Sequence, residues 1–176
     1  MCAKEGKCAV KVADVSDFWN GQKEIKILDA NLTAVPEKRE LFAQYIDTGA
    51  ALDFTQGLDI RLLDEDDIAD INRSKVKGLH FAWDNPRADL KGRFANYATK
   101  AQKHPNGDVA TVYVLTNYDS TIEEDLYRIY TLRDMGYMPY VMIYDKQHSD
   151  RLHKDLQRWV NTKIIVTCPN FKDYRR

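Results

Sequence analysis

The sequence predicts an α/β fold: a parallel sheet of five or six strands with covering helices, curved as part of a TIM-like barrel. Three observations carry this expectation. Short apolar runs alternate with amphipathic segments from Ile25 to Cys168. The strand-plus-helix unit recurs at spacings of about 25 to 30 residues, the length of a crossover between parallel strands. The chain has 176 residues, whereas a closed eight-unit barrel needs about 250. A partial barrel or an open doubly wound sheet therefore fits, and strands this apolar are expected to be covered on both faces.

The elements follow in order. "IKILD" (Ile25–Asp29) reads as a strand. Pro36 suits a first helical position, and a helix runs from it to about Thr48 with Gly49 as its stop. "ALDFT" (Ala51–Thr55) is the next strand. The acidic start "DEDD" (Asp64–Asp67) favours a helix N-terminus through the macrodipole, and that helix ends near Ser74. "GLHFAWD" (Gly78–Asp84) is a strand, followed by a helix over 88–103. "VATVYVLTN" (Val109–Asn117) is the most strand-like run in the chain. Thr121 and Glu124 form a capping box, which opens a helix with Leu126, Ile129, Leu132 and Met135 on one face; Gly136 closes it. "PYVMIYD" (Pro139–Asp145) is a strand, "LHKDLQRWV" (Leu152–Val160) a helix and "KIIVTC" (Lys163–Cys168) a last short strand. Residues 25–176 form the barrel-like domain. Residues 1–24 read as a loop segment with a short extended piece at Ala9–Val12.

Composition bounds the function. With 44% apolar and 30% charged residues and a net charge of −1, the chain is an ordinary globular one. Its charge gives no support for nucleic-acid binding. The longest apolar run, Val109–Leu115, is too short to span a bilayer, and no basic-then-apolar leader opens the chain. Cys2, Cys8 and Cys168 are an odd number of thiols, so reduced cysteines or metal ligation are expected rather than a disulfide framework. A cytoplasmic location follows from these readings. No phosphate loop, dinucleotide fingerprint or nucleophile elbow is present.

The informative pattern is where polar residues fall. "FTQGLDIRLL" (Phe54–Leu63) sets Gln56, Asp59 and Arg61 around Gly57 at the end of an apolar run. The other strands do likewise, ending in Asp29 and Asn31, in Trp83, Asp84 and Asn85, in Asn117, and in Tyr144, Asp145 and Lys146. C-terminal strand ends of a parallel α/β sheet share one mouth, so these residues are expected to line a site. The bland reading is turn chemistry, since Asp and Asn are common where strands exit. Trp83, Arg61 and Lys146 are not turn formers, which favours a site. His80 reads as a core or wall histidine, His104, His148 and His153 as surface residues, Cys168 as a small buried hydrophobe, and the tyrosines from Tyr127 to Tyr144 as ordinary packing. The C-x5-C spacing of Cys2 and Cys8 is too wide for a zinc knuckle.

Taken together, "IKILDANL", "DFTQGLDIRLL", "HFAWDN", "YVLTNYDSTIEEDLYRIYTLRDMGYMPYVMIYDK" and "LQRWVN" resemble the radical S-adenosylmethionine (radical SAM) superfamily, with the nearest likeness to uncharacterised bacterial and phage-associated members. The likeness runs from about Ile25 to Tyr174. It implies a partial six-unit βα barrel that binds S-adenosylmethionine and a 4Fe-4S cluster held by a C-x3-C-x2-C motif. "MCAKEGK" (Met1–Lys7) resembles the tail of that motif, which makes Cys2 the implied third cluster ligand and the implied metal residue. The resemblance also implies that the chain is a fragment, barrel units two to six, with the first strand and two cysteines in a missing N-terminal segment.

By resemblance, the cofactor-binding residues are Asp29, Asn31, Gln56, Asp59, Arg61, Asp84, Asn85 and Asn117. Asp29–Asn31 would face the amino group of S-adenosylmethionine, although the family's Gly-Gly-Glu pattern is absent there. Gln56, Asp59 and Arg61 would sit near its ribose and carboxylate, Asp84 and Asn85 near ribose or substrate, and Asn117 near adenine. Tyr144, Asp145 and Lys146 would lie on the substrate side. The catalytic residues and the substrate are not assigned, and the chain alone is expected to be inactive. Two other classes remain open. One is a Mg²⁺-dependent hydrolase or phosphotransferase using Asp29, Asp59, Asp84 and Asp145. The other is a non-catalytic α/β binding module.

Overall fold

The computed structural model describes residues 10–29, 31–103 and 107–174. Five strands, β1 (Glu24–Lys26), β2 (Ala51–Phe54), β3 (Val76–Ala82), β4 (Thr111–Thr116) and β5 (Met138–Ile143), pair in parallel in the order β1-β2-β3-β4-β5. Helices α1 (Lys38–Asp47), α2 (Glu65–Arg73), α3 (Lys91–Lys100) and α4 (Ile122–Asp134) connect them, and α5 (Arg151–Asn161), α6 (Ile164–Thr167) and α7 (Phe171–Tyr174) complete the chain. Among the described residues, no helix is long and apolar enough to cross a membrane.

The sequential strand order decides where the helices go. Crossovers between parallel strands are right-handed. With no reversal of order there is no switch point, so α1 to α4 fall on one face of the sheet. Burial shows the same division. Leu52, Phe54, Leu79, Phe81, Val112, Val114 and Val141 are all at most 3% exposed. Their alternating neighbours Asp53, His80 and Tyr113 are half-buried, and Ala82, Tyr140 and Met142 are exposed. The expectation of cover on both faces is therefore corrected: one face carries the core, and among the described residues the other is open. A doubly wound sheet is excluded by the same order.

The covered face holds Phe42, Phe94, Ile129, Leu132, Leu156, Trp159 and Val160, each fully buried. Each contributes about 1.5–3 kcal/mol by leaving water. Phe81 meets Tyr97 edge-on with ring centroids 5.1 Å apart. Tyr137 is buried there too, its hydroxyl donating to the Phe94 carbonyl at 2.8 Å.

Caps explain the boundaries. Asp64 accepts from Asp67 N at 2.9 Å, and Asp67 accepts from Asp64 N at 3.0 Å, so α2 starts in a reciprocal box. Thr121 and Glu124 do the same for α4. Gly136, at φ 87°, turns the chain out of α4, and its carbonyl accepts from Val109 N at 2.9 Å, at the start of the β4 segment. Strands end one to three residues earlier than the sequence predicts, which leaves the polar clusters wholly in loops.

The predicted strand at Lys163–Cys168 is instead the short helix α6. Lys163 adopts φ 62°, turning the chain out of α5, and the β-branched run then closes local bonds such as Cys168 N to Ile164 O at 2.8 Å. Ile165 is the residue of this helix that is buried, and Trp159 Nε1 donates to Cys168 O at 2.8 Å, which ties the segment to α5. Cys168 itself is half-buried rather than a core residue. His153, expected on the surface, is 8% exposed; its backbone N–H and Nδ1 both lie 2.8 Å from Asp150, which caps α5. Of the extended piece expected at Ala9–Val12, Ala9 lies outside the described residues and 10–12 form no strand. The N-terminal segment instead makes a 3-10 turn at Val15–Asp17 that docks on α1, with Val15 N donating to Gln44 Oε1 at 2.8 Å.

An ion-pair network joins α1 to α2. Lys38 Nζ reaches Asp67, which is fully buried, at 2.6 Å, and Arg39 pairs with Asp64 and with Asp70. The N–H of Asp67, followed by Arg39 and Lys38, holds the Asp64 carboxyl well below the usual carboxylate range. A lowered folded-state value stabilises above the unfolded value near 3.8 and is lost as pH falls below it. Asp64→Ala is therefore expected to cost about 1 kcal/mol at neutral pH. That difference should shrink as urea unfolding is followed from about pH 4 downward.

Candidate functional site

The loop after β2 answers why Gln56, Asp59 and Arg61 surround a glycine. Gly57 takes φ 84°, and its N–H returns to Phe54 O at 2.9 Å. The next amide, Leu58 N, donates to His80 O of β3 at 2.9 Å. A Cβ on Gly57 would lie 2.9 Å from that same carbonyl, so the turn can lie against β3 because no side chain intervenes. Beyond it Leu58 and Ile60 are buried, at 5% and 3% exposure. They anchor the loop and turn Asp59 and Arg61 outward.

The loops after β1 and β3 meet this one. Thr33 Oγ1 donates to Asn31 Oδ1 at 2.5 Å and accepts from Asp59 N at 3.3 Å. Arg61 grips Asp59 in a bidentate pair, Nε to Oδ1 at 2.8 Å and Nη2 to Oδ2 at 2.6 Å. Despite partial burial, which opposes ionisation, this pair holds the Asp59 carboxyl below its ordinary value. Asp84 behaves oppositely. Partial burial pushes its carboxyl up, and the bond from Leu115 N at 3.3 Å and the nearby Arg128 only partly counter this. Asn85 Oδ1 accepts from Arg87 N at 2.9 Å.

These groups enclose a cavity of about 350 Å³. Asn31, Gln56, Asp59, Arg61, Asp84 and Asn85 line it, with Leu58, Phe81, Ala82, Ala88, Leu90 and Tyr113 as its apolar part. The ends of β1, β2 and β3 thus converge. The remaining predicted residues do not line this cavity. Asp29 is exposed after β1, and Asn117 sits at φ 59° after β4. Tyr144, Asp145 and Lys146 are exposed after β5. There Tyr144 packs on Tyr118 at 4.4 Å, and Asp145 meets His148 Nδ1 at 2.8 Å. Trp83, expected at the mouth, points the other way into the core at 1% exposure, with Nε1 on Ala88 O.

Cys2 and Cys8 lie outside the described residues. Cys168 sits after α6 with Sγ 3.7 Å from Asn170 O. Among the described residues, no group of three or more His, Cys, Asp or Glu side chains could hold a metal ion. The four carboxylates Asp29, Asp59, Asp84 and Asp145 therefore form no cage there.

Sequence reasoning missed Arg128. It is fully buried, donating from Nη1 to the carbonyls of Trp83 and Asp84 and from Nη2 to Leu115 O and to the carboxylate of Asp125, itself fully buried. It ties the exits of β3 and β4 together directly beneath Asp84. A signal was present: Asp125 and Arg128 stand at helical spacing in the stripe that Ile129 and Leu132 continue. No protein-family model, no curated protein and no solved structure matches the chain.

Proposed function

We propose that the strand-end cavity binds S-adenosylmethionine, and that the chain is the ligand-binding part of a radical SAM-type barrel working in the cytoplasm. One observation carries this reading: the residues that the resemblance assigns to the ligand from three separate loops, Asn31, Gln56, Asp59, Arg61, Asp84 and Asn85, gather around one cavity. Asp84 and Asn85 suit ribose hydroxyls. Gln56 offers both a donor and an acceptor, and the Tyr113 ring gives a flat wall for adenine. The Arg61 guanidinium is 66% exposed, so a ligand carboxylate can share it with Asp59.

A 4Fe-4S cluster supplies the electron for S-adenosylmethionine cleavage when it is bound. The described residues do not fit one, since Cys168 is their lone cysteine. The reading for this chain's own residues is accordingly binding and orientation. The Mg²⁺-dependent alternative lacks a converging carboxylate set among the same residues.

Isothermal calorimetry with S-adenosylmethionine tests the proposal. Saturable binding is expected, with competition from S-adenosylhomocysteine. Asp84→Ala and Gln56→Ala should each weaken binding about tenfold, as expected for a lost hydrogen bond worth about 1.4 kcal/mol. Absence of binding at millimolar ligand, or binding that neither substitution alters, overturns the proposal.

A further inference from the structure

A second cavity of about 350 Å³ lies between the N-terminal 3-10 turn and the C-terminal end of α1. Small-molecule sites span about 300–1,000 Å³. One side chain ties the two walls together. Gln44 Oε1 accepts from Val15 N at 2.8 Å, and Gln44 Nε2 donates to Asp14 Oδ1 at 2.7 Å, so the turn is held against the helix. Trp19 also lines the cavity and is half-buried. Its N–H returns to Val15 O at 2.9 Å and its indole Nε1 donates to Gln22 O at 3.0 Å, which fixes the ring in place. Most polar groups of the lining are already engaged. Asp14 is paired with Lys11, and the Thr48 hydroxyl donates to Tyr45 O at 2.6 Å and accepts from Ala50 N at 3.1 Å. Asp47 is the exception. It lines the cavity, it is exposed, and among the described residues no ion pair or side-chain hydrogen bond engages it. It is also the last residue of α1, whose final turn holds no basic residue, so the negative pole of the helix adds to its charge.

We propose that this cavity binds a small alkylammonium ion, with Asp47 as its counter-charge and the Trp19 ring as its cation–π wall. Other ligand classes fit less well. An anion would meet the Asp47 carboxylate and the helix pole, while Lys11 is already held by Asp14 and Glu40. A metal ion lacks ligands, since no group of three or more His, Cys, Asp or Glu side chains could hold one among the described residues. A neutral apolar ligand would strip water from the Asp47 carboxylate and give nothing back. A primary ammonium uses what the lining offers. Its N–H groups donate to the Asp47 carboxylate and to the Ser16 hydroxyl. Its charge is attracted by an indole, the strongest of the aromatic rings for this contact. Its alkyl stem finds apolar surface on Val15 and Trp19. The site does not rest on S-adenosylmethionine binding, because its lining and that of the strand-end cavity have no residue in common.

Titration with n-butylammonium, with n-butanol as the neutral counterpart, tests this by NMR of the tryptophan indole N–H resonances. The chain has three tryptophans, of which Trp83 and Trp159 are buried in the core at 1% and 0% exposure and serve as internal controls. The ammonium is expected to shift the Trp19 resonance saturably and to leave the other two in place, and the alcohol to shift none. Asp47→Asn should weaken binding about fivefold, the size of an exposed ion pair. This residue is exposed, so the variant is expected to fold as the parent does. Trp19→Leu, followed by calorimetry, should weaken binding about threefold, and Trp19→Phe less. Asp84→Ala, in the other cavity, should leave ammonium binding unchanged, so the two proposals fail separately. Equal binding of the alcohol and the ammonium overturns the site, as does undiminished binding by Asp47→Asn.

Discussion

Arg128→Met is expected to lower the unfolding free energy by about 3–5 kcal/mol, the cost of leaving a buried charge unpaired. The guanidinium and the Asp125 carboxylate have no exposed surface, so water cannot replace the lost partner. Three main-chain carbonyls, of Trp83, Asp84 and Leu115, lose their donors at the same time. The double substitution Arg128→Met with Asp125→Leu removes both charges and should recover part of the loss. It should not recover all of it, because the Trp83 carbonyl, whose bond to Arg128 is buried, is left without that donor at a cost of about 1–3 kcal/mol. Urea unfolding of the single and double variants measures this. A single-variant cost under about 1 kcal/mol would show that the pair does not hold the β3 and β4 exits together. His153 adds a second layer. Its Nε2 and Asp125 Oδ2 are both buried without hydrogen bonds and stand 3.8 Å apart, too far for one.

The parts of the fold legible in the sequence are those set by near neighbours. Apolar runs, the acidic start at Asp64, the Thr121–Glu124 box and Gly136 each act within a turn or two of chain, and each stands where the residues place it. One-sided cover was not legible. In "TVYVLT" the buried positions are Val112, Val114 and Thr116, while Thr111, Tyr113 and Leu115 face the open side. Both sets read as strand formers, so the period-2 signal is blurred. The segment 163–168 misled for a related reason. Ile164, Ile165 and Val166 favour strands intrinsically, but the turn at Lys163 and packing on α5 outweigh that preference. At the site, the polar residues were found because loops follow strands directly. Which loops converge depends on sheet geometry, and this brings the ends of β1, β2 and β3 together around the cavity without Asn117 or Asp145. Asp53 went unnoticed because a carboxylate inside a short strand looks like a solvated face residue. In the fold one of its oxygens is buried, 2.6 Å from where a Cβ on Gly78 of β3 would stand.

Gly57→Ala is expected to cost about 2 kcal/mol or more and to weaken ligand binding in the strand-end cavity. Two effects add. A residue with a Cβ in the left-handed region costs about 1–2 kcal/mol, and Gly57 stands at φ 84°. The new methyl would also meet His80 O at 2.9 Å, a backbone atom in the middle of a sheet that cannot rotate away. Relief requires the loop to lift from β3, which stretches the 2.9 Å bond from Leu58 N to His80 O. Gln56 and Asp59 flank that bond and would move with it. Gly49→Ala separates the two effects. Gly49 also has positive φ, at 63°, but nothing lies within 4 Å of its Cβ position, and it caps α1 away from the cavity. It should show the backbone cost alone and leave S-adenosylmethionine binding intact. Urea unfolding and calorimetry of the two variants read the difference. Equal losses of stability, with binding retained in both, would mean that the close approach to β3 does not position Gln56 and Asp59, and that the glycine in "FTQGLDIRLL" serves the turn and not the site.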